Sequence, residues 1–227
     1  MPQSGLYGFP TDAIVLNQVF DSGSGRFQKP QGLNGKHTVI ALAWGGGAGG
    51  DNAPVDAGGG GGHNQRAFDY AAFPASVEFS VGIAGAAATN GGDTYIAGTG
   101  VDVAATGGKT AAGGYAGGRP GFRFGTSTIY TFSHPPYHGG LGGLAGVGLN
   151  SAMAIWGGAA GLINVSATQP QSIHGGKGSS FDGGTNYAAT APGGGGTFYD
   201  ASGVGQPGRV QFIIVRGIVP DMMGNLF

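Results

Sequence analysis

Cysteine is absent from the 227-residue sequence and charged residues are scarce. Without cysteine there is no disulfide framework, no thiolate metal site and no cysteine nucleophile. Only 9% of the residues are Asp, Glu, Lys or Arg, where about 25% is usual. Ten Lys and Arg against eleven Asp and Glu leave a net charge of -1, which excludes the basic surface that nucleic acids or anionic membranes require.

Long apolar runs and export signals are also lacking. No stretch approaches eighteen consecutive apolar residues, and the first ten residues contain neither a basic region nor an apolar core. A membrane-spanning helix needs about 20 predominantly apolar residues, and a secretory signal needs both of the missing features. We therefore expect a soluble chain without membrane insertion or an ordinary export signal.

Motifs for catalysis are missing or incomplete. Gly-x-Ser-x-Gly does not occur, the chain has a single glutamate, Glu78, and its aspartates are scattered with no pair singled out by spacing. The end of a phosphate-binding loop is suggested by residues 107–110, but position 103 is valine where that motif requires glycine. We predict that the protein is not an enzyme and has no cofactor. A polysaccharide depolymerase, which needs two carboxylates in a groove, is the enzymatic alternative.

The sequence contains no convincing metal-binding motif either. Of five histidines, only His134 and His138 are close in sequence. Such a pair can ligate a metal on a symmetry axis, but two exposed loop histidines are the favoured interpretation. The segment Gly91-Gly92-Asp93 lacks the third glycine of the calcium-binding β-helix repeat, so no metal is expected.

Glycine is what the sequence has in excess, at 53 residues against a usual frequency of about 7%. A flexible linker of this composition would lack large hydrophobic residues, whereas this chain is 40% apolar and has thirteen Phe, eight Tyr and two Trp. Collagen requires glycine at every third position and abundant proline, but the chain has only 12 prolines. The glycines therefore belong to a different ordered structure.

Strand-like segments separate the glycine blocks, and interior glycine disfavours helix by about 1 kcal/mol per residue. The predicted strands are 37–44, 77–81, 94–96, 122–124, 127–130 and 209–215. We predict an all-β fold with almost no α-helix, built as a small β-sandwich or β-sheet base with glycine-rich loops. The predicted organisation is an attachment segment at 1–19, a glycine-rich β domain at 20–217 and a tail at 218–227.

A period of three marks the block at residues 139–148, whose repeating small residues include Gly139, Gly140, Gly142, Gly143 and Gly146. Three residues per turn is the repeat of the left-handed polyproline-type helix. Packed polyglycine helices of this type would satisfy one another's backbone groups. Glycine-rich β-turns and bulges are the other interpretation, and the sequence leaves both open.

Aromatic and basic residues concentrate between residues 115 and 156. Rings on loops, with Arg and His beside them, are typical of recognition surfaces, whereas core packing is the alternative for the same rings. The candidate recognition residues are Tyr115, Arg119, Tyr130, His134, Tyr137, His138 and Trp156. We expect Tyr137→Ala to spare folding and weaken binding, and Gly142→Val or Gly143→Val to block chain packing.

The order of these elements resembles the glycine-rich domain of tailed-phage tail-fibre and tail-tip proteins. An aromatic hairpin from Phe20 to Phe27 precedes Pro30, and a strand then ends in Trp44 and the glycine block 45–50. Later elements in the same order are Val77-Glu78-Phe79-Ser80-Val81-Gly82, Gly91-Gly92-Asp93-Thr94-Tyr95-Ile96, Ala105-Thr106-Gly107-Gly108 and the closing Gly208-Arg209-Val210-Gln211-Phe212-Ile213-Ile214-Val215. The similarity covers residues 20–217.

That resemblance implies a virion protein of the phage tail. In glycine-rich adhesins of this kind, packed polyglycine helices form the scaffold and the intervening loops touch the host. The expected function is a receptor-binding adhesin, with a purely structural tail or head decoration subunit as the alternative. Expected partners are other phage tail proteins, a bacterial surface glycan or outer-membrane protein, and further copies of the chain, with a trimer as one option.

Overall fold

The computed structural model describes residues 13–50, 57–110, 117–124, 128–133, 137–140, 153–163, 169–182, 185–197 and 203–217. These residues form thirteen β-strands and no α-helix, which confirms the predicted all-β fold. No helix among them is long and apolar enough to cross a membrane. The strands are β1 (Ile14–Phe20), β2 (Ser24–Gln28), β3 (His37–Trp44), β4 (His63–Asp69), β5 (Ser76–Ser80), β6 (Thr94–Gly98), β7 (Val101–Ala105), β8 (Pro120–Phe124), β9 (Thr128–Thr131), β10 (Leu162–Ile163), β11 (Ser180–Asp182), β12 (Thr185–Tyr187) and β13 (Arg209–Arg216).

Two antiparallel sheets form the base of the molecule. The first has the strand order β1-β13-β3-β4, and the second has the order β2-β5-β6-β7-β8-β9. A third, smaller sheet contains β10, β11 and β12. The hairpin expected between Phe20 and Phe27 is not formed, because β1 pairs with β13 in the first sheet while β2 pairs with β5 in the second. The predicted boundary between residues 19 and 20 falls inside β1.

The central strand β3 is buried on both faces, which explains its uninterrupted apolar sequence. Because side chains alternate along a strand, Val39, Ala41 and Ala43 contribute to the large core of the base. Ile40, Leu42 and Trp44 point to the opposite face and form a second, smaller core cluster with residues of β13.

Aromatic residues from both sheets fill the large core. The rings of Phe27 on β2 and Phe212 on β13 stack with their centroids 4.0 Å apart. Phe20 on β1 packs against Phe79 on β5 at 4.2 Å. These contacts across the sheets join β1, β2, β5 and β13 into a sandwich, and the burial of large aromatic surface is its main source of stability.

Glycine-rich segments extend from the strand ends and pack side by side in what we call the glycine bundle. The backbone of each segment is hydrogen-bonded to the backbones of neighbouring segments. The bundle comprises residues 45–50, 57–62, 82–86, 89–93, 106–110, 117–119, 138–140, 157–161, 175–179, 193–197 and 203–208.

The hydrogen bonds of residues 45–50 repeat every three positions. Positions 45 and 48 donate to residues 57–62, positions 46 and 49 to residues 89–93, and positions 47 and 50 to residues 203–208, all at 2.8–3.0 Å. A β-strand would direct its bonds to two neighbours only. Three directions in succession fit a helix with three residues per turn, the polyglycine type that the block at 139–148 suggested.

Residues 45–50 also accept hydrogen bonds from three further segments, so six segments surround this one. Gly85, Gly108 and Gly196 donate one bond each from these three segments. Residues 57–62 are surrounded in the same way: they donate to three segments and accept from three others. The bundle therefore has a hexagonal interior in which the backbone groups are paired without a sheet.

Close approach of the backbones explains why these positions are glycine. A Cβ atom added at Gly60 would overlap the carbonyl oxygen of Gly158, and one added at Gly61 would overlap that of Gly45. In both cases the separation is well under 3.0 Å, which real Cβ atoms essentially never show. The glycines are thus required by packing, whatever their local conformational preference.

Thr94 connects the base to the bundle and carries a testable prediction. Its buried hydroxyl donates to the carbonyl oxygen of Trp44 at 2.6 Å and accepts from the Gly82 N–H at 2.8 Å. Thr94→Val has nearly the same shape but leaves both backbone groups without this partner. We expect thermal or urea unfolding to show a loss of about 2–3 kcal/mol.

Thr197 provides the matched control for Thr94, because its hydroxyl is equally buried but has no hydrogen-bond partner among the described residues. Thr197→Val should be neutral or stabilising, since it removes an unpaired polar group. Equal losses in the two variants would contradict the role assigned to the Thr94 hydroxyl.

Candidate recognition site

The glycine bundle has two distinct ends. At the near end its segments continue into the base strands, as at Trp44 to Gly45 and Gly62 to His63. At the opposite end, which we call the far end, Gly50 donates to Gly203 and accepts from Ala88. The turn that contains Ala88 therefore lies on the side of the bundle that faces away from the sandwich.

The described connection at the far end is the turn at residues 86–89. Its residues are exposed, and the N–H group and hydroxyl of Thr89 both donate to the carbonyl oxygen of Ala86. The segments 51–56, 111–116 and 198–202 connect the bundle residues on either side of them and lie outside the described residues. Tyr115 belongs to one of them, so its predicted role stays a prediction.

Arg119 and Tyr130 are exposed, but they lie at the base instead of the far end. Arg119 directly precedes β8, and its backbone pairs with Thr106 at the start of another bundle segment. Tyr130 lies on the edge strand β9, is 51% exposed, and has its ring 5.8 Å from that of Phe122. His134 lies outside the described residues.

Tyr137 is buried, which corrects the expectation that its truncation would spare folding. Its side chain is 6% exposed, and its hydroxyl accepts a hydrogen bond from Gln65 at 3.3 Å. Its ring lies 5.8 Å from that of Trp156 and 5.6 Å from that of His63. The sequence could not show this burial, because the partner His63 is more than seventy positions away. Tyr137 therefore packs inside the molecule, against aromatic rings at the near end of the bundle.

Trp156 is at the centre of what we call the aromatic stack, formed by Trp44, His63, Tyr137, Trp156 and His174. The Trp156 ring is nearly parallel to those of His63, at 5.6 Å, and His174, at 3.8 Å. The Trp44 indole N–H donates to the Trp156 carbonyl oxygen at 2.9 Å. The stack thus attaches residues 153–157 to the near end of the bundle, and His138, half-buried, adjoins it in sequence.

His63 and His174 are members of the aromatic stack that the sequence did not single out. His63 pairs with Trp44 across β3 and β4, so the one available signal was its place directly after a glycine block. Burial lowers the pKa of His63 to about 3, with His174 adding a small repulsion. Gln65 and the Ala43 backbone oppose this shift, yet within the described part of the chain neither ring nitrogen has a partner with hydrogen-bond geometry. Burial also lowers the pKa of His174.

An exposed apolar patch flanks the aromatic stack. Met153, Ile155 and Ile173 are 44%, 47% and 73% exposed. A bridge between Ala154 and Ser172 holds the two chain segments together, and the His174 N–H donates to the Ile155 carbonyl oxygen. Exposed apolar side chains grouped beside aromatic rings are suited to contact with another macromolecule.

The predicted scaffold glycines divide between described and undescribed residues. Gly139 and Gly140 are buried in the bundle, where they donate to Gly118 and Gly158. This placement agrees with a scaffold role. Gly142, Gly143 and Gly146 lie outside the described residues, so the expected effects of Gly142→Val and Gly143→Val stay predictions.

A group of charged and aromatic side chains lies on the second sheet of the base. Asp102 accepts the Arg123 backbone N–H at 2.6 Å, and the Arg123 guanidinium lies 3.9 Å from the centre of the Tyr95 ring. Burial raises the pKa of Asp102, an effect that Arg123 and Arg66 oppose. Across the described parts of the chain, no three His, Cys, Asp or Glu side chains are grouped so that they could hold a metal ion.

Comparison with known proteins adds no family to this description. No protein-family model matches the sequence, and no curated protein is significantly similar to it.

Proposed function

We propose that the chain is a receptor-binding subunit of a phage tail fibre or tail tip, which recognises a glycan or outer-membrane protein on the bacterial surface. The observation that supports this most directly is the polarity of the fold. Sandwich sheets and the large core lie at one end of the glycine bundle, and the turn at residues 86–89 lies exposed at the other.

The construction of the bundle supports a role in which loops change and the scaffold does not. Its segments are held by backbone hydrogen bonds and by close contact between glycines. Because these bonds join backbone groups of the bundle, the sequence of the connecting loops can vary at little cost in stability. A receptor-binding surface must change its sequence when the receptor changes. Loops that can vary without destabilising the scaffold meet this requirement.

A purely structural virion subunit is the second candidate, and the apolar patch of Met153, Ile155 and Ile173 favours it. This patch lies beside the aromatic stack near the base, where a neighbouring subunit could cover it. In that role the far end would contact other virion proteins and would have no receptor.

The test compares matched substitutions at the two ends of the molecule. Ala87 is exposed in the far-end turn, and Thr99 is exposed in the turn between β6 and β7 at the base. Purified protein should bind candidate host cells saturably and protect them from phage adsorption. Ala87→Arg should weaken cell binding about tenfold or more by placing a long charged side chain in the contact, while Thr99→Arg should leave it unchanged.

Two results would contradict the proposal. Folded protein that neither binds cells nor blocks adsorption favours the structural subunit. Equal loss of binding in Ala87→Arg and Thr99→Arg argues against recognition at the far end, even if the protein is an adhesin.

A further inference from the structure

Strand β1 is an edge of the first base sheet with an unusual composition. It pairs with β13 on one side, and among the described residues no strand pairs with its other side. Its sequence, Ile-Val-Leu-Asn-Gln-Val-Phe, has no charge, no proline and no glycine. Exposed edge strands usually carry charged residues or proline, which prevent pairing with another chain.

The other edges of the two base sheets are protected or short. Strand β4 contains Arg66 and Asp69. Strand β2 contains a glycine and Arg26, which forms an ion pair with Glu78 at 2.6 Å. Strand β9 has four residues. Within the described structure, β1 is thus the longest base edge without a charge.

The regular part of β1 is complementary to itself. A bulge interrupts its register near Ile14 and Leu16, whereas residues 16–20 pair with β13 without a shift. In an antiparallel pair of two copies centred on Gln18, Leu16 lies opposite Phe20 of the partner subunit and Gln18 lies opposite itself. Leu16 and Phe20 are half-buried against the large core, so this register would extend that core from one copy into the next.

We infer that β1 is the interface through which two copies of this chain pair, edge to edge and antiparallel, about a twofold axis at Gln18. The two first sheets then form one continuous eight-stranded sheet. Leu16 and Phe20 supply the apolar cross-strand pairs and the backbone supplies the hydrogen bonds. The pairing uses the base, so both far ends stay exposed and a surface can be held by two sites at once. This inference does not depend on what the far end binds.

The test measures association of the full chain by sedimentation velocity, from about 1 µM to about 500 µM. The wild-type protein should change from monomer to dimer within this range. Gln18→Lys brings two ammonium groups together at the axis, and Gln18→Glu brings two carboxylates together. Because like charges directly opposite one another oppose pairing, each variant should dimerise at least about tenfold more weakly.

Mixing these two variants gives the sharpest result. An equimolar mixture of Gln18→Lys and Gln18→Glu places opposite charges at the axis and should recover association to at least the wild-type level. The control is Gln28→Lys, an exposed glutamine changed in the same way on the β2 edge, which should dimerise as the wild type does. If Gln18→Lys lowers thermal stability, the mixture still tests the interface. Association can recover in the mixture only if both variants are folded, so recovery excludes unfolding as the cause of the weaker dimer.

Three outcomes would overturn the inference. The wild-type protein stays monomeric over the whole range, Gln18→Lys and Gln18→Glu dimerise as tightly as wild type, or their mixture associates no better than either variant alone.

Discussion

Gly61→Ala is expected to prevent stable folding, although it adds a single methyl group. The new Cβ would overlap the carbonyl oxygen of Gly45. Moving residue 61 would stretch its own hydrogen bond to Gly193, which is 2.8 Å long, and the bond that Gly158 donates to it. Because backbone on both sides is already paired, we expect a loss of more than about 4 kcal/mol, a large part of the stability of a typical domain. Thermal unfolding and circular dichroism measure it.

Two controls separate packing from glycine content. Gly35→Ala changes a glycine whose added Cβ would make an ordinary contact with Ala71 at 3.7 Å, so it should alter stability by less than about 0.5 kcal/mol. Ala48→Gly tests the buried alanine that the bundle accommodates between Gly47 and Gly49, and it should cost roughly 1 kcal/mol. Similar unfolding temperatures for Gly61→Ala and Gly35→Ala would refute the close-packed bundle.

Acidification is expected to unfold the protein through His63. Burial holds its pKa at about 3, against 6.5 for an ordinary histidine. Between pH 6.5 and 3, His63 is therefore protonated in the unfolded chain but neutral in the folded chain. Stability is complete above pH 6.5 and falls as the pH drops from there towards 3. At pH 5 the loss should be roughly 2 kcal/mol, because each pKa unit corresponds to about 1.4 kcal/mol.

His63→Phe isolates this effect, since it preserves a ring in the aromatic stack and removes two unpaired nitrogens. Urea unfolding between pH 7 and pH 5 should show a much smaller loss in this variant. The part that persists is expected from His174, whose pKa is lowered in the same direction. An unchanged pH dependence in His63→Phe would exclude His63 as its source.

The sequence predicted the base strands well because their patterns are local. Residues 37–44 and 209–215 read as strands from apolar and β-branched content alone, and both are central strands of the first sheet. Pairing was harder to predict. The short distance between Phe20 and Phe27 suggested a hairpin, but burial of Phe20 and Phe27 in one core is achieved from two different sheets.

The exposure of the candidate recognition residues was predicted less well, because exposure depends on partners distant in sequence. Trp156 and Tyr137 are candidates in the sequence because they are aromatic, and the structure brings them together with Trp44, His63 and His174. The sequence around His63 does not indicate that it is buried, and the sequence around His174 does not indicate that it stacks on another ring. Arg119 and Tyr130 are exposed as expected, yet they lie at the base.

The sequence by itself determined the composition-dependent properties of the protein: an all-β fold with almost no helix, and glycine blocks, one of which, at residues 139–148, repeats with a period of three. These follow from propensity and patterning, which act within a few residues. Only the tertiary structure decided that the blocks pack in a hexagonal bundle and that Tyr137 is buried. A backbone hydrogen bond between segments, such as that from Gly45 to Gly62, joins two chemically equivalent glycines. No side chain distinguishes one glycine partner from another, so the base strands that hold each segment select its neighbours.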